Sequence, residues 1–275
     1  VLTQVRRQLR WMANHPAYTG PRTFVRAVTW AARAAASKPA TVPFGRGRIY
    51  CPAEQRGMAR LAYIFRDRFE PELALLSRFV RPGDRVVDIG AHYGAYTLIL
   101  ADLVGPNGSV IAVEPASHAA AVLERNLELN GYADRVTVYR VALGEAQGTA
   151  TLQIHADPSR NRIGDPDPGA AGSETVPVRL LDDLIDGPVT FIKMDVEGAE
   201  VLAYRGARRV LEKHRPIVLF EFQPDAGRSL GLDPMELWDG LVGLGYSMQR
   251  IVGEELQPVA QAPTTSVTNF VAIPR

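Results

Sequence analysis

The stretch Arg85-Val86-Val87-Asp88-Ile89-Gly90-Ala91-His92-Tyr93-Gly94-Ala95-Tyr96-Thr97, followed by Val110-Ile111-Ala112-Val113-Glu114-Pro115, decides the fold of this 275-residue chain. An apolar strand ends in a glycine turn, a helix pattern opens at Ala95, and a second apolar strand stops at a carboxylate. That order is a nucleotide-binding βαβ unit, in which ligands meet the carboxyl ends of the strands. Gly90 and Gly94 carry no Cβ, so the backbone can approach a ligand closely. Glu114 stands where ribose hydroxyls would arrive, and a carboxylate can accept hydrogen bonds from both of them.

Two cofactor classes use such a unit. A dinucleotide site carries three glycines as G-x-G-x-x-G, with the pyrophosphate over the helix N-terminus. Here the turn reads Gly90-Ala91-His92-Tyr93-Gly94-Ala95 and lacks the middle glycine. It resembles motif I of class I S-adenosylmethionine-dependent methyltransferases. A second segment, Thr190-Phe191-Ile192-Lys193-Met194-Asp195-Val196-Glu197-Gly198-Ala199-Glu200, reads as a buried strand leaving through an acidic turn into a helix. With the downstream Pro216-Ile217-Val218-Leu219-Phe220-Glu221-Phe222, the chain is similar to the FkbM-type methyltransferase family over roughly residues 70–250.

The resemblance implies an α/β, Rossmann-like class I methyltransferase fold: a seven-stranded, mostly parallel sheet with helices on both faces, its last strand antiparallel. It also implies S-adenosylmethionine as cofactor and an O-methyltransferase acting on a hydroxyl of a small molecule, sugar or glycolipid. Two other classes stay open: a nicotinamide-dependent oxidoreductase, which would use Glu114 for the same ribose contact, and a non-catalytic scaffold that retains the fold.

Carried onto this sequence, the resemblance gives the cofactor Asp88, Gly90, His92, Gly94, Tyr96, Thr97 and Glu114. At the third strand end it adds Ala142 and Leu143, which lie in a turn similar to the family's alanine-leucine-glycine turn beside adenine, and Asp195. Asp88 either meets the cofactor ammonium or caps its own turn. His92 either donates to the cofactor carboxylate or packs beneath the turn. Asp195 and Glu197 lie two apart, so their side chains point the same way if strand geometry persists. They form the expected acid/base pair, with Glu221 completing a carboxylate cluster and Lys193 available to pair with one of them. Three carboxylates could recruit a divalent cation, an option the sequence does not favour. Among the histidines His155 is the alternative base, because it borders the segment Asp157 to Ser173. That segment is rich in Pro, Gly, Asp and Arg and reads as a loop over the substrate, with Asn161 and Arg162 as substrate contacts.

Composition is that of a globular enzyme, 46% hydrophobic and 22% charged. Two regions are expected: a basic helical and hairpin extension over residues 1–69, and the methyltransferase domain over residues 70–275. Through Glu70 there are thirteen basic residues against three acidic ones, although the net charge of the chain is only +1. The basic residues are spread rather than clustered, so docking on the acidic body is expected in preference to nucleic-acid binding. Peripheral membrane contact through Trp11, Phe24, Val28 and Trp30 and homodimerisation through the same helices remain open. The single Cys51, the absence of a membrane-length apolar run and the lack of a secretory h-region lead to the expectation of a cytoplasmic protein.

Helices are expected at Leu2 to Met12, Arg22 to Ala36, Glu72 to Phe79, Ala95 to Leu103, Ser117 to Asn130 and Leu237 to Leu244. A hairpin is expected over Thr41 to Pro52. Beyond the two motif strands, further strands are expected at Val136 to Val141, Thr149 to His155, Glu174 to Leu180, Tyr246 to Ile251 and Asn269 to Ile273.

Overall fold

The computed structural model describes residues 20–54, 56–165, 169–253, 255–264 and 267–275. The helix expected at Leu2 to Met12, with Trp11, lies outside these residues. The chain opens with helix α1 (Pro21–Ala35), the hairpin strands β1 (Ala40–Phe44) and β2 (Gly47–Cys51), and helices α2 (Met58–Phe65) and α3 (Glu72–Phe79). There follow β3 (Arg85–Ile89), α4 (Ala95–Val104), β4 (Ser109–Val113), α5 (Ser117–Asn130) and β5 (Val136–Tyr139). A side sheet takes β6 (Ala142–Leu143), β7 (Gly148–Ile154), β8 (Arg162–Ile163) and β9 (Gly172–Arg179). The chain returns through α6 (Leu181–Leu184), β10 (Phe191–Met194), α7 (Glu200–Arg205), α8 (Arg208–His214), β11 (Ile217–Phe222), α9 (Pro224–Ser229), α10 (Met235–Gly243), β12 (Tyr246–Val252), β13 (Glu255–Pro258) and β14 (Thr268–Pro274).

The main sheet has the order β13-β12-β14-β11-β10-β3-β4-β5. Strands β3, β4, β5, β10 and β11 are parallel, and β14 is inserted antiparallel between β11 and β12. The order reverses at β3, which has β4 on one side and β10 on the other. That reversal opens a crevice at the carboxyl ends of the strands, where open α/β sheets bind ligands. The Rossmann-like arrangement is as expected, with one correction: among the described residues the sheet has eight strands, not seven. Gly253, at φ +64°, turns the chain so that β13 pairs antiparallel with β12 and covers its edge.

Strand alternation sorts side chains to the two faces. Val86, Val110, Ala112, Phe191, Leu219 and Val271 enter one core with helices α3, α4 and α5 and the hairpin. Val87, Ile89, Ile111, Ile192, Phe220 and Phe270 enter the other, beneath α7, α8 and α10. Helix α2 lacks any strong punctuation in the sequence, yet it buries Met58, Ala59, Ala62 and Ile64 in the first of these cores. Trp30 corrects the membrane-facing reading. It is 2% exposed, packs against Tyr63 with ring centroids 4.9 Å apart, and donates its indole N–H to the Glu54 carbonyl at 3.0 Å. Phe24 and Val28 do face outward.

The segment Asp157 to Ser173 is also more ordered at its ends than its composition implies. Asp157 caps a single turn at Pro158–Arg160, Arg162 and Ile163 pair with Gln153 and Leu152 of β7, and β9 already begins at Gly172. A two-residue strand is too short to leave a periodic signal, so the pairing is invisible in sequence. Residues 166–168 of this segment lie outside the description.

The hairpin is docked by two asparagines one helical turn apart on α5. Asn126 accepts the Tyr50 N–H at 2.6 Å and donates to the Tyr93 carbonyl at 2.8 Å; Asn130 accepts the Arg48 N–H at 2.8 Å and donates to the Arg48 carbonyl at 2.7 Å. These amides continue the hydrogen bonding of the β2 edge, which would otherwise leave backbone groups unpaired. Asn126 is fully buried. Asn126→Ala is expected to cost about 3 kcal/mol, because it orphans a buried donor and a buried acceptor together. Urea unfolding measures this, and a loss below about 1 kcal/mol would contradict the docking role.

Candidate active site

A cavity of about 370 Å³ opens at the carboxyl ends of β3, β4, β10 and β11. Its size is that of a ligand pocket. Of the residues singled out in the sequence, Gly90, His92, Tyr96, Glu114, Ala142, Leu143, Asn161, Arg162, Asp195, Glu197 and Glu221 line it. Asp88, Gly94, Thr97 and His155 do not.

Glu114 follows the end of β4 and is 6% exposed. One carboxylate oxygen accepts the His92 N–H and the other the Ala116 N–H, each at 2.8 Å. Burial nevertheless pushes this carboxyl up to about 7, against the lowering effect of the two N–H groups. Each oxygen retains a lone pair toward the cavity. His92 owes its position to an unusual backbone, φ +50°, which turns its N–H onto Glu114. Burial and the Lys193 charge pull the His92 imidazole down to about 4, so it is neutral at pH 7, with its ring 4.1 Å from that of Tyr93. His92 packs against the turn and also lines the cavity.

The glycines have a different reason from the one their spacing suggests. At Gly90, φ is +77° and a Cβ would stand 1.8 Å from the Asp195 carbonyl oxygen, so the close approach is to the neighbouring strand exit. Gly94, at φ +91°, caps α4, and a Cβ there would strike Leu123 of α5. Both positions are needed to let the turn lie flat against its neighbours.

Beneath the turn lies a buried polar row. Asp88 and Lys193 are register partners across β3 and β10, on the face that otherwise carries Ala112 and Leu219. Asp88 is fully buried, accepts the Thr97 hydroxyl at 2.6 Å and stands 3.5 Å from the Lys193 ammonium. Its place in the cofactor shell is therefore corrected: Asp88 and Thr97 support the turn from below, because strand alternation points Asp88 into the α4 face. Lys193 also donates to the Gly90 carbonyl at 2.9 Å and lies 3.6 Å from Asp195 and 4.9 Å from the centre of the Tyr96 ring. Burial alone would lower its pKa, but Asp195, Asp88, Glu70 and Glu221 outweigh burial and keep it charged.

Four carboxyl groups converge above that ammonium. Asp195 follows β10, Glu221 is the penultimate residue of β11, and Glu197 stands on a left-handed backbone at φ +54°. Strand geometry thus ends at Met194, and Asp195 and Glu197 reach the cavity by a turn rather than by alternation. Glu200 holds that turn, one oxygen accepting the Val196 and Gly198 N–H groups at 3.0 and 3.2 Å. The Gln223 amide donates to Glu221 and lies 3.3 Å from Glu197. Burial, followed by the neighbouring Asp195 charge, pushes Glu197 up to about 8 and raises Glu221 as well. Among the described residues no three His, Cys, Asp or Glu side chains are arranged to hold a metal ion.

The fourth carboxyl is Glu70, which sequence reasoning missed. It lies outside every motif, just before α3, and enters the cavity hydrogen-bonded to the Tyr96 hydroxyl. Burial raises it to about 7. Met58, Leu61 and Phe69 of the same region form the adjoining apolar wall. Ala142, Leu143 and the turn carrying Asn161 also line the cavity, and the Asn161 side-chain oxygen accepts the backbone N–H of His155 at 2.8 Å. That bond comes from the His155 backbone; His155 itself is 6% exposed and lies outside the cavity wall.

A sheet that reverses at β3 and takes one antiparallel strand between β11 and β12 has the class I methyltransferase fold. The chain belongs to the FkbM methyltransferase family: the methyltransferase FkbM domain matches residues 88–248. It is 29% identical over 167 residues to a protein-L-isoaspartate O-methyltransferase of Aeropyrum pernix, covering 56% of this chain and 58% of that one. A protein of the same description from Methanopyrus kandleri is 35% identical over 107 residues, 39% of this chain and 42% of that one. The chain thus spans about half the length of these relatives. Among solved structures, methyltransferase FkbM of Methylobacillus flagellatus superposes with a TM-score of 0.45 at 21% identity, covering 78% of this chain and 53% of that chain. Among the described residues no helix is long and apolar enough to cross a membrane.

Lys193→Met should destabilise the fold by about 3–5 kcal/mol, because it leaves Asp88 charged and buried beside apolar neighbours. Chemical denaturation measures the loss. A change below about 1 kcal/mol would mean that Asp88 and Asp195 do not depend on the ammonium.

Proposed function

We propose that this protein is an S-adenosylmethionine-dependent O-methyltransferase whose acceptor is a hydroxyl of a neutral, polyhydroxylated small molecule, sugar or glycolipid. The observation that carries the reading is the convergence of Glu70, Asp195, Glu197 and Glu221 on one cavity that Glu114 and apolar side chains also line. Family membership supports the methyl-transfer chemistry, and nothing in the site favours a nicotinamide cofactor.

The donor set fits the cofactor. Glu114 has lone pairs for two ribose hydroxyls, Ala142 and Leu143 offer an apolar surface to a flat base, and the acidic end suits a cationic sulfonium and ammonium. The cofactor supplies an activated methyl group, so the protein has to orient the acceptor and remove its proton. Carboxyl groups do both: they accept hydrogen bonds from hydroxyls and bind the released proton. Asn161 and Arg162 face the same space and serve as acceptor contacts. The acidic end also disfavours a carboxylate acceptor, since like charges repel in a partly buried site. A hydroxyl acceptor is therefore favoured over the aspartyl carboxylate that the names of the archaeal relatives imply for those proteins.

Transfer from methyl-labelled S-adenosylmethionine to sugars, glycolipids and an isoaspartyl peptide tests this. Base-stable label on a hydroxyl acceptor is expected; base-labile label on the peptide would overturn the reading. In binding assays with S-adenosylhomocysteine, Glu114→Ala should weaken affinity by about tenfold or more, the loss of charge-assisted hydrogen bonds to ribose. Unchanged affinity would remove the ribose assignment.

A further inference from the structure

Among the described residues seven large hydrophobic side chains are exposed, and three of them, Phe24, Val25 and Val28 at 70%, 61% and 55%, lie within five positions on α1. The other four, Leu129, Val242, Val252 and Val267, are single and far apart in the chain. Scattered apolar side chains are ordinary on a surface, but a contiguous row marks a contact. At 3.6 residues per turn Phe24, Val25, Val28, Ala31, Ala32 and Ala35 fall in one sector about 120° wide, and all six are exposed. Trp30 and Ala34 lie on the other side of the helix and are buried. The helix therefore has two apolar faces, one filled by the protein and one turned outward.

Charge sets what can cover the outer face. Arg22, Arg26 and Arg33 fall along one flank of the helix, between its two apolar sides. The first acidic residue of the chain is Glu54, and nine basic residues precede it, a formal charge of +9 over the first 53 residues. Arg26 donates to the Ile64 carbonyl at 3.2 Å and Arg33 to the Pro39 carbonyl; among the described residues neither they nor Arg22 stand in an ion pair. A guanidinium has five donors, so one carbonyl contact leaves others for phosphate oxygens. A second copy of the chain is disfavoured, because a two-fold contact would set these arginines against themselves with no carboxylate nearby in sequence. A nucleic-acid backbone would engage the arginines and leave Phe24, Val25 and Val28 in water. An anionic bilayer satisfies both sets: the apolar row enters the boundary of headgroups and acyl chains while the basic flank lies at the level of the phosphates.

We propose that the outer face of α1 docks this protein on an anionic lipid bilayer, with Phe24, Val25 and Val28 entering the acyl boundary and Arg22 and Arg26 meeting lipid phosphates. The docking stands apart from the chemistry of the cavity but touches its wall. Helix α1 packs on α2 through Trp30 and Tyr63, and α2 contributes Met58 and Leu61 to the cavity lining. One helix therefore separates the docked face from the site.

Flotation of the intact protein with vesicles of phosphatidylcholine alone, and of phosphatidylcholine with phosphatidylglycerol, tests this. Binding to the anionic vesicles is expected, weaker by about tenfold or more on neutral lipid and in the double variant Phe24→Ser/Val28→Ser, and reduced by added salt. Both side chains are exposed, so the double variant should keep the wild-type thermal unfolding, which separates lost docking from misfolding. Arg22→Glu leaves the apolar row intact, adds a carboxylate where the first helical turn accepts one, and should weaken binding by about fivefold or more. Val242→Ser, an exposed position on α10, should bind like the wild type. Failure of the wild-type protein to bind anionic vesicles, or undiminished binding by the double variant or by Arg22→Glu, would overturn the proposal. A wild-type dimer that dissociates in the double variant and ignores vesicles would overturn it too, since the face would then join two copies of the chain.

Discussion

The arrangement of the site depends on one buried ammonium. Lys193 sits in the middle of the sheet, on a row that also carries Ala112, Asp88 and Leu219, and ties together the ends of β3 and β10 through Asp88, Asp195 and the Gly90 carbonyl. Desolvating a charge is costly unless partners surround it. Here the partners are the ends of the strands that meet at the reversal of the sheet. The cost is met only when the glycine turn and the acidic turn lie side by side, which couples the folding of the core to the geometry of the cavity.

From that tie the rest of the site follows. Gly90 must lack a side chain because the Asp195 carbonyl occupies the space. With Gly90 fixed, His92 presents its N–H to Glu114, and Glu114 is held at both oxygens with lone pairs left over. Beyond Asp195 the chain turns sharply, so Glu197 and Glu221 gather over the same ammonium, clamped by Glu200 and Gln223. Burial and the crowding of like charges hold Glu197 and Glu221 above the ordinary carboxylate range.

The cavity is closed by parts of the chain that the family domain does not include. Met58, Leu61, Phe69 and Glu70 precede residue 88, where the domain match begins. Their region is not an appendage in packing terms: Trp30, the hairpin and α2 share a core with β3, β4 and α5. The asparagines of α5 extend the β2 edge and hold that region in place. Acceptor choice is accordingly expected to lie with this wall and with the Asn161 turn, where the sequence carries no motif.

Local pattern by itself determined the βαβ unit, the parallel strands, the helices Ser117–Asn130 and Glu72–Phe79, and the acidic strand ends, because period-two alternation and glycine punctuation are local consequences of backbone geometry. It also placed Glu114 and the Asp195, Glu197 and Glu221 trio at the cavity. What only the tertiary structure decided is which side of the turn a residue serves. Asp88 and Thr97 fell below the turn because of strand alternation against α4, His155 was retained by the Asn161 turn, and Glu70 arrived from outside every motif. Strand β13, the two-residue β8 and the burial of Trp30 were likewise settled by pairing and packing between segments distant in sequence. Such contacts leave no local period, so they exist only once the sheet has brought their partners together.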